Sequence, residues 1–427
     1  MTRQLKRELG VFGAAMMGLG SIIGTGIFVS VGLAAGIAGP SVLIAIAIAA
    51  AVATCNGLNS AQLAANHPVS GGTYEYGYRY LNPRLGFLAG WVFLLAKSAS
   101  AATAALGFAG YFLHALGIGS ETWLVPLALG AVLVFTVIVL NGIRRSNTTN
   151  TAIVSITLFA LTVFVVTGLP SVQAGNFIPF FPTEGRIGIA ALLQATALMF
   201  VAYTGYGRIA TLGEEVHHPH QTIPRAIIVT LVVSMVLYMT VAFVGVGTVG
   251  AETLGDITDT GSAPLEIAAQ LVGLPFVPQL IAIGAVTAML GVLLNLILGL
   301  SRVLLAMGRR SDMPPAVGVL NQSGTTPTLA VIVVGVIIAG LVLVGNVRAT
   351  WSFSAFTVLI YYAITNLAAL QLNPEDRFFP PIIAWVGLLS CLFLAFWVEM
   401  EIWLIGLLLI GVGLVWQMVA QRTLKRA

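Results

Sequence analysis

Apolar stretches of about 18 residues or more, long enough to cross a bilayer as helices, recur along the whole chain. They lie near residues 11–35, 40–64, 85–113, 122–141, 149–169, 187–211, 226–250, 278–307, 328–345, 350–371, 380–398 and 402–420. Short polar segments separate them. Backbone inside hydrocarbon must satisfy its own hydrogen bonds, so runs of this length predict helices. The pattern therefore predicts an all-α polytopic membrane protein with twelve transmembrane helices.

Two of these runs are interrupted. The first contains Gly20-Ser21-Ile22-Ile23-Gly24-Thr25-Gly26-Ile27-Phe28, three glycines and two hydroxyls where an ordinary span carries Leu and Val. Glycine inside a helix costs roughly 1 kcal/mol relative to alanine, so this density favours local unwinding. It also fits a close-packed interface of small residues. The sixth run repeats the feature, with Thr204, Gly205 and Gly207 near its centre. Two interrupted helices five spans apart suggest an inverted repeat with both breaks at the membrane midplane. The pairing favours a binding site over packing alone. The expected units are residues 11–169, residues 187–371 and a peripheral pair of helices over 380–420.

Charge supports an orientation. With the N-terminus inside, Arg3, Lys6, Arg7, Arg79, Arg84, Arg144, Arg145, Arg225, Arg302, Arg309, Arg310, Arg377, Arg422, Lys425 and Arg426 fall in or beside cytoplasmic segments. Arg186 and Arg348 fall outside, with Glu121, Glu184, Glu252, Asp256, Asp259, Glu266, Glu399 and Glu401. The positive-inside bias predicts both termini in the cytoplasm and residence in the cytoplasmic membrane. The first run is too long for a cleaved signal peptide. Charged residues make up 8% of the 427-residue chain, against about 25% in a soluble domain. The net charge of +4 is explained by this topology and does not point to nucleic acid. Cys55 and Cys391 both sit in apolar runs, which argues against a disulfide framework or a thiolate metal site.

The motifs, in order, resemble a known family. The first-span segment Gly20–Phe28 resembles the helix-one signature of the amino acid–polyamine–organocation (APC) superfamily of amino acid permeases. Pro68-Val69-Ser70-Gly71-Gly72-Thr73-Tyr74 is similar to the loop after helix two. Phe200 to Gly205, Glu214-Glu215-Val216 and Ile223-Pro224-Arg225-Ala226-Ile227 resemble helix six and the loop after it. Ser301 to Met307 and Thr326-Pro327 resemble the end of helix eight and the start of nine. The resemblance implies a leucine-transporter-like fold with a 5+5 inverted repeat and discontinuous helices 1 and 6. It also implies an amino-acid or amine substrate held at the two breaks.

Carried over residue by residue, the resemblance puts a substrate carboxylate on the backbone N–H groups of Thr25, Gly26 and Ile27, beside Gly24. The start of a half-helix suits an anion. Its ammonium would meet the carbonyls of Ile22, Phe200, Ala202 and Tyr203. Val201, Tyr203 and Thr204, with residues near Ser98 and Thr103, would line the side-chain pocket. Cationic-amino-acid members often carry an acid just after the helix-six glycine. Here the triplet is Gly205-Tyr206-Gly207, which favours small or apolar neutral substrates, although Gly207 also leaves room for a larger side chain.

Lys97 stands halfway along the third run. A cation at mid-bilayer costs about 2.5 to 3.5 kcal/mol on insertion scales, so Lys97 is the candidate for coupling to protons or for replacing a coupled cation. A snorkelling lysine is the structural alternative. For sodium coupling, helix eight offers only Thr287 near the first break. His217, His218 and His220 bracket Pro219 in a loop and read as polar surface. No nucleophile elbow, phosphate loop, zinc or other cofactor motif occurs, so an enzyme is not expected. The function expected is secondary transport by alternating access, as exchange or proton symport. Carriage of cationic amino acids, polyamines or other amines, and a non-transporting membrane sensor, are the alternatives.

Overall fold

The computed structural model describes residues 9–69, 71–142, 147–182, 188–211, 216–261, 263–322 and 324–423. Expectations resting on Arg3, Lys6, Arg7, Ser70, Arg144, Arg145, Glu184, Arg186, Glu214, Glu215, Lys425 and Arg426, and on the side chain of Glu121, lie outside the described residues.

The helices follow the apolar runs. In order they are α1 (Val11–Ile22), α2 (Val31–Ala38), α3 (Val42–Asn66), α4 (Thr73–Tyr76), α5 (Pro83–Ala115), α6 (Ser120–Leu140), α7 (Asn147–Gly168), α8 (Gly188–Tyr203), α9 (Gly207–Ala210), α10 (Pro219–Val249), α11 (Ala251–Asp259), α12 (Pro264–Gln270), α13 (Phe276–Arg309), α14 (Thr328–Val342), α15 (Val347–Leu370), α16 (Pro381–Ala395) and α17 (Met400–Thr423). Among the described residues a single parallel bridge, Leu9 to Val216, is the sole extended pairing.

Nine helical segments among the described residues are long and apolar enough to cross a membrane, counting the path Gly26–Asn66 as one. Three shorter apolar helices, α1, α14 and α16, accompany them. The reasons for the shortfall from twelve are local. The break at Ile23 truncates α1, while the tight corner at Gly39-Pro40-Ser41 joins α2 directly to α3. The 15-residue helices α14 and α16 span about 23 Å at 1.5 Å per residue. That is less than the roughly 30 Å hydrocarbon core.

The centre of the bundle is α5, which both α13 and α15 pack along, while α10 lies along α3 and α3 along α8. Hydroxyl pairs fasten α5 to α15: Ser100 Oγ to Ser354 Oγ at 2.7 Å, and Thr103 Oγ1 to Thr350 Oγ1 at 2.8 Å. An amide ladder fastens α3 to α15, with Asn59 Nδ2 donating to Asn366 Oδ1 (2.8 Å) and Asn366 Nδ2 to Asn56 Oδ1 (2.7 Å). In an apolar medium such buried polar groups are costly unless paired, so the ladder fixes register. Large apolar side chains remain exposed outside, for example Leu133, Phe159, Val166 and Leu408. This inversion of the soluble rule is what a lipid-facing surface requires.

At the end of the bundle where α5 begins, the segment after α3 is helical: α4 runs into a π-helical turn over Gly77–Leu81. Tyr74 and Tyr78 both donate to Asp312 Oδ2, at 2.8 and 2.6 Å, just past the end of α13. Burial, then the Asp312 carboxylate, pushes the Tyr74 phenol far above its ordinary range. Arg310 bonds Glu75 at 2.9 Å and lies over the Tyr78 ring at 4.1 Å. Thr73 Oγ1 meets Thr365 Oγ1 at 2.7 Å. These side chains tie α4 and the π-helical turn to the segment after α13 and to α15.

Candidate functional site: the junction of two helix breaks

The first break is a change of backbone path. Ile23 is extended (φ −81°, ψ 96°), and the chain resumes as a π-helical turn over Gly26–Ser30 before α2. The N–H groups of Ile27 and Phe28 both return to Gly24 C=O, at 3.1 Å each. Thr25 and Gly26 therefore head a new helical segment, whose first-turn amides lack carbonyls one turn back. Ser30 Oγ closes on Gly26 C=O. Thr25 Oγ1 is buried, 3% exposed, and has no hydrogen-bond partner among the described residues. A buried orphan hydroxyl is costly, and it lies at the position expected to meet a ligand.

The second break is gentler. After Tyr203 the helix tightens into a 3₁₀ turn over Thr204–Tyr206, then continues as α9. Gly205 is what allows the two breaks to touch. A Cβ there would lie 2.5 Å from the backbone carbonyl carbon and oxygen of Ser21. Neither can move without moving the first break.

Tyr238 of α10 joins them. Its hydroxyl lies 2.8 Å from Ile22 C=O and 3.0 Å from Ala202 C=O, and it is fully buried. These are two of the four carbonyls expected to face an ammonium group. A phenol has one proton and each carbonyl has two lone pairs, so Tyr238 bridges them and leaves acceptor capacity over. A Cβ at Gly26 would lie 2.5 Å from that hydroxyl and 2.9–3.0 Å from Cβ and Cα of Ala202. Gly26 thus faces protein as tightly as it would face a ligand. Gly24 packs similarly, since a Cβ there would lie 2.7 Å from the Val292 side chain.

Lys97 reaches the same junction. Its Nζ donates to Thr204 Oγ1 at 2.9 Å, and Thr204 Oγ1 donates to Val201 C=O at 2.7 Å. Tyr362 of α15 donates to Thr204 C=O at 3.2 Å. The space left by Gly207 is filled from the same residue, since a Cβ there would lie 2.9 Å from the Tyr362 hydroxyl.

Of the residues singled out in sequence, Ile22, Gly24, Thr25, Gly26 and Ile27 gather on one side, and Phe200, Val201, Ala202, Tyr203 and Thr204 on the other, all buried. Tyr203 turns away, with its ring 5.0 Å from that of Tyr238 and its hydroxyl 3.5 Å from Ile46 C=O. Thr103 is committed to α15. Thr287 bonds carbonyls of its own helix, Ile283 and Gly284. His217 donates its backbone N–H to Leu9, and His220 lies against Phe378.

Sequence reasoning missed three partners. Tyr238 was hidden in an apolar run, yet a buried phenol must find an acceptor. Asn150 of α7 donates to Met16 C=O at 2.8 Å, with Gly20 giving it room. Tyr362 carried no motif at all.

A profile of the family described as "Amino acid permease" matches residues 13–423. This chain belongs to the amino acid permease family. An uncharacterized transporter of Mycobacterium tuberculosis (strain ATCC 25618 / H37Rv) is 38% identical over 419 residues, covering 96% of this chain and 90% of the relative. The branched-chain amino acid permease BcaP of Bacillus subtilis (strain 168) is 29% identical over 435 residues, covering 95% and 92%. The methylthioribose transporter of the same organism is 27% identical over 437 residues, covering 96% and 93%. The permease family and these relatives are named for transport, and the apolar helices make this chain an integral membrane protein.

Proposed function

We propose that this permease is a secondary active transporter of small or apolar neutral amino acids, working by alternating access. The observation that carries the reading is the meeting of the two breaks around Tyr238, with Thr25 Oγ1 unpartnered beside them. The amides of Thr25 and Gly26 receive the substrate carboxylate, while that of Ile27, expected to join them, is spent on Gly24 C=O. The carbonyls of Ile22, Phe200 and Ala202 receive its ammonium, and Tyr238 holds two of them in position. Both charges of the zwitterion are met by backbone groups at helix ends, with no side-chain charge on either.

Lys97 favours a neutral side chain. Its ammonium stands on Thr204, where the side chain of a substrate seated on both breaks points, and two cations there repel each other. Lys97 is also the group through which a proton couples to transport, or the fixed charge that replaces a coupled cation. The name of the branched-chain relative agrees with a neutral substrate.

The architecture that goes with this reading has twelve spans, a 5+5 inverted repeat over residues 11–169 and 187–371, and peripheral helices over 380–420. Both termini face the cytoplasm across the cytoplasmic membrane. In that orientation the Tyr74–Asp312 cluster closes the cytoplasmic end.

The test is uptake into proteoliposomes of radiolabelled neutral, acidic and cationic amino acids, with and without an inward proton gradient and without sodium. Saturable uptake of a neutral amino acid is the expected result. Stimulation by the gradient assigns symport, and indifference assigns exchange. Uptake confined to cationic amino acids or polyamines would overturn the substrate assignment. Binding without any flux would point to a sensor.

A further inference from the structure

At the end of the bundle where α5 stops, a cleft of about 810 Å³ opens between the last turn of α5, α12 and the first turns of α13. Its wall includes His114, Glu266, Gln270, Leu274, Pro278 and Gln279. Glu266 is 5% exposed, and among the described residues no donor reaches its Oε2. Its Oε1 lies 4.0 Å from His114 Nε2, too far for a hydrogen bond. His114 is itself engaged by Gln270 at 3.3 Å.

A buried carboxylate without donors is among the costliest groups a fold can carry. The surrounding elements offer it no strong cation. The first turns of α13, Phe276 to Ile283, hold no titratable residue, and neither does the π-helical turn over Gly26–Ser30. From α5 come His114 and Tyr111, the latter spending its hydroxyl on Leu265 N–H and Phe28 C=O. The helix α11 adds only acids, Glu252, Asp256 and Asp259, and Asp259 takes Arg348 at 3.0 Å. From α10, Tyr238 is given to the two breaks. Tyr111 and Leu265 link this wall directly to the segment after the first break.

We propose that this cleft is a second binding site, taking a primary ammonium group on a ligand with an apolar body, and that the Glu266 carboxylate receives the ammonium. Three N–H donors on a compact cation match a carboxylate with two unspent oxygens. The amides of Gln270 and Gln279 stand on the same wall. Leu274 and Pro278 give the apolar side, and exposed Leu271, Phe276 and Ile283 extend it outwards. Such a group comes from an aminophospholipid headgroup or from a free amine, and the experiment separates the two.

The sign of the pH dependence comes from burial, which pushes the Glu266 carboxyl up to about 7. An ammonium binds the ionised form, so affinity rises with pH by about tenfold between pH 6 and 8, following the ionised fraction. Protonation of His114 acts in the same direction, because an imidazolium at the wall repels the ligand.

The experiment is thermal unfolding of the purified full chain in detergent at pH 6 and 8. Added phosphatidylethanolamine is compared with phosphatidylcholine of the same acyl chains and with soluble n-hexylamine, a free amine with an apolar body. The expected result is a rise in Tm with phosphatidylethanolamine that is larger at pH 8, and no such rise with phosphatidylcholine. If hexylamine reproduces the rise, the ligand is a free amine; if it does not, the ligand is the lipid. Glu266→Gln is expected to lose the response. Equal shifts with both lipids, a response stronger at pH 6, or a Glu266→Gln variant that responds as the parent would each overturn the proposal. If that variant fails to accumulate, the headgroup and pH comparison on the unmodified protein decides alone.

Discussion

The two helix breaks are built in opposite ways. The first is a rupture of the backbone: an extended Ile23, a helix restarted at Thr25, and glycines pressed against Tyr238, Ala202 and Val292. The second barely leaves helical geometry, and its content lies in side chains, with Thr204 receiving Lys97 and offering its carbonyl to Tyr362. In the proposed reading the first cradles the carboxylate common to all α-amino acids, while the second adds carbonyls for the ammonium and the Thr204–Lys97 face that meets the substrate side chain. A change at the first break should abolish binding whatever the substrate. A change at the second should re-rank substrates.

The largest effect is expected at the contact between them. Gly205→Val drives a branched side chain into the Ser21 carbonyl. Overpacking against backbone costs about 1–3 kcal/mol or more, and the variant should show a clearly lowered Tm and no uptake. Wild-type uptake from that variant would break the claim that the breaks touch.

Next comes the pair Gly26 and Tyr238. Gly26→Ala collides with a hydroxyl, and Tyr238→Phe removes that hydroxyl and the single proton shared by the Ile22 and Ala202 carbonyls, a loss of about 1–3 kcal/mol in all. In a double-mutant cycle on substrate affinity the two should be strongly non-additive, the second substitution partly relieving the first. Additive losses would mean that Tyr238 does not set the space at Gly26.

Lys97→Ala and Thr204→Val probe the second break by its side chains. Both should leave neutral amino acids bound, and Lys97→Ala should flatten the pH profile of uptake and admit cationic side chains. An unchanged pH profile would make Lys97 a structural lysine.

The smallest effects are expected far from the junction. Glu266 titrates near 7 rather than at its ordinary 4.5, so the unfolded chain releases this proton first. Its contribution then makes the folded state lose stability as pH rises from about 4.5 to about 7, with no further change above. Tm measured across that window should fall for the parent chain and stay flatter for Glu266→Gln. Asp259→Asn, which removes a half-exposed pair with Arg348, should change stability by less than about 1 kcal/mol.

What the sequence made legible was whatever depends on composition along a line. Helix positions track the apolar runs to within a few residues, because in a bilayer length and apolarity leave few alternatives. The breaks are visible because Gly20, Gly24, Gly26, Gly205 and Gly207 are conspicuous where leucine is the norm. The partners that assemble the junction are not legible. Tyr238 reaches Ile22, Asn150 reaches Met16 and Tyr362 reaches Thr204 across sequence separations of 216, 134 and 158 residues, and a lone phenol or amide in an apolar run looks the same whether it braces a carbonyl or fills space. Lys97 stands out by its cost in the membrane, but its acceptor Thr204 does not. The helical extension of α4 and the Tyr74–Tyr78–Asp312 knot escape for the same reason, since their parts come from distant loops.

In the proposed reading a single amino acid sits against both breaks at once. The decisive measurement is photolabelling of the purified permease with a diazirine analogue of leucine, the adducts being mapped by mass spectrometry. Label is expected within residues 22–27 and 200–204, displaced by unlabelled neutral amino acid and not by lysine. Label that maps to neither break, or that leucine does not displace, would contradict it.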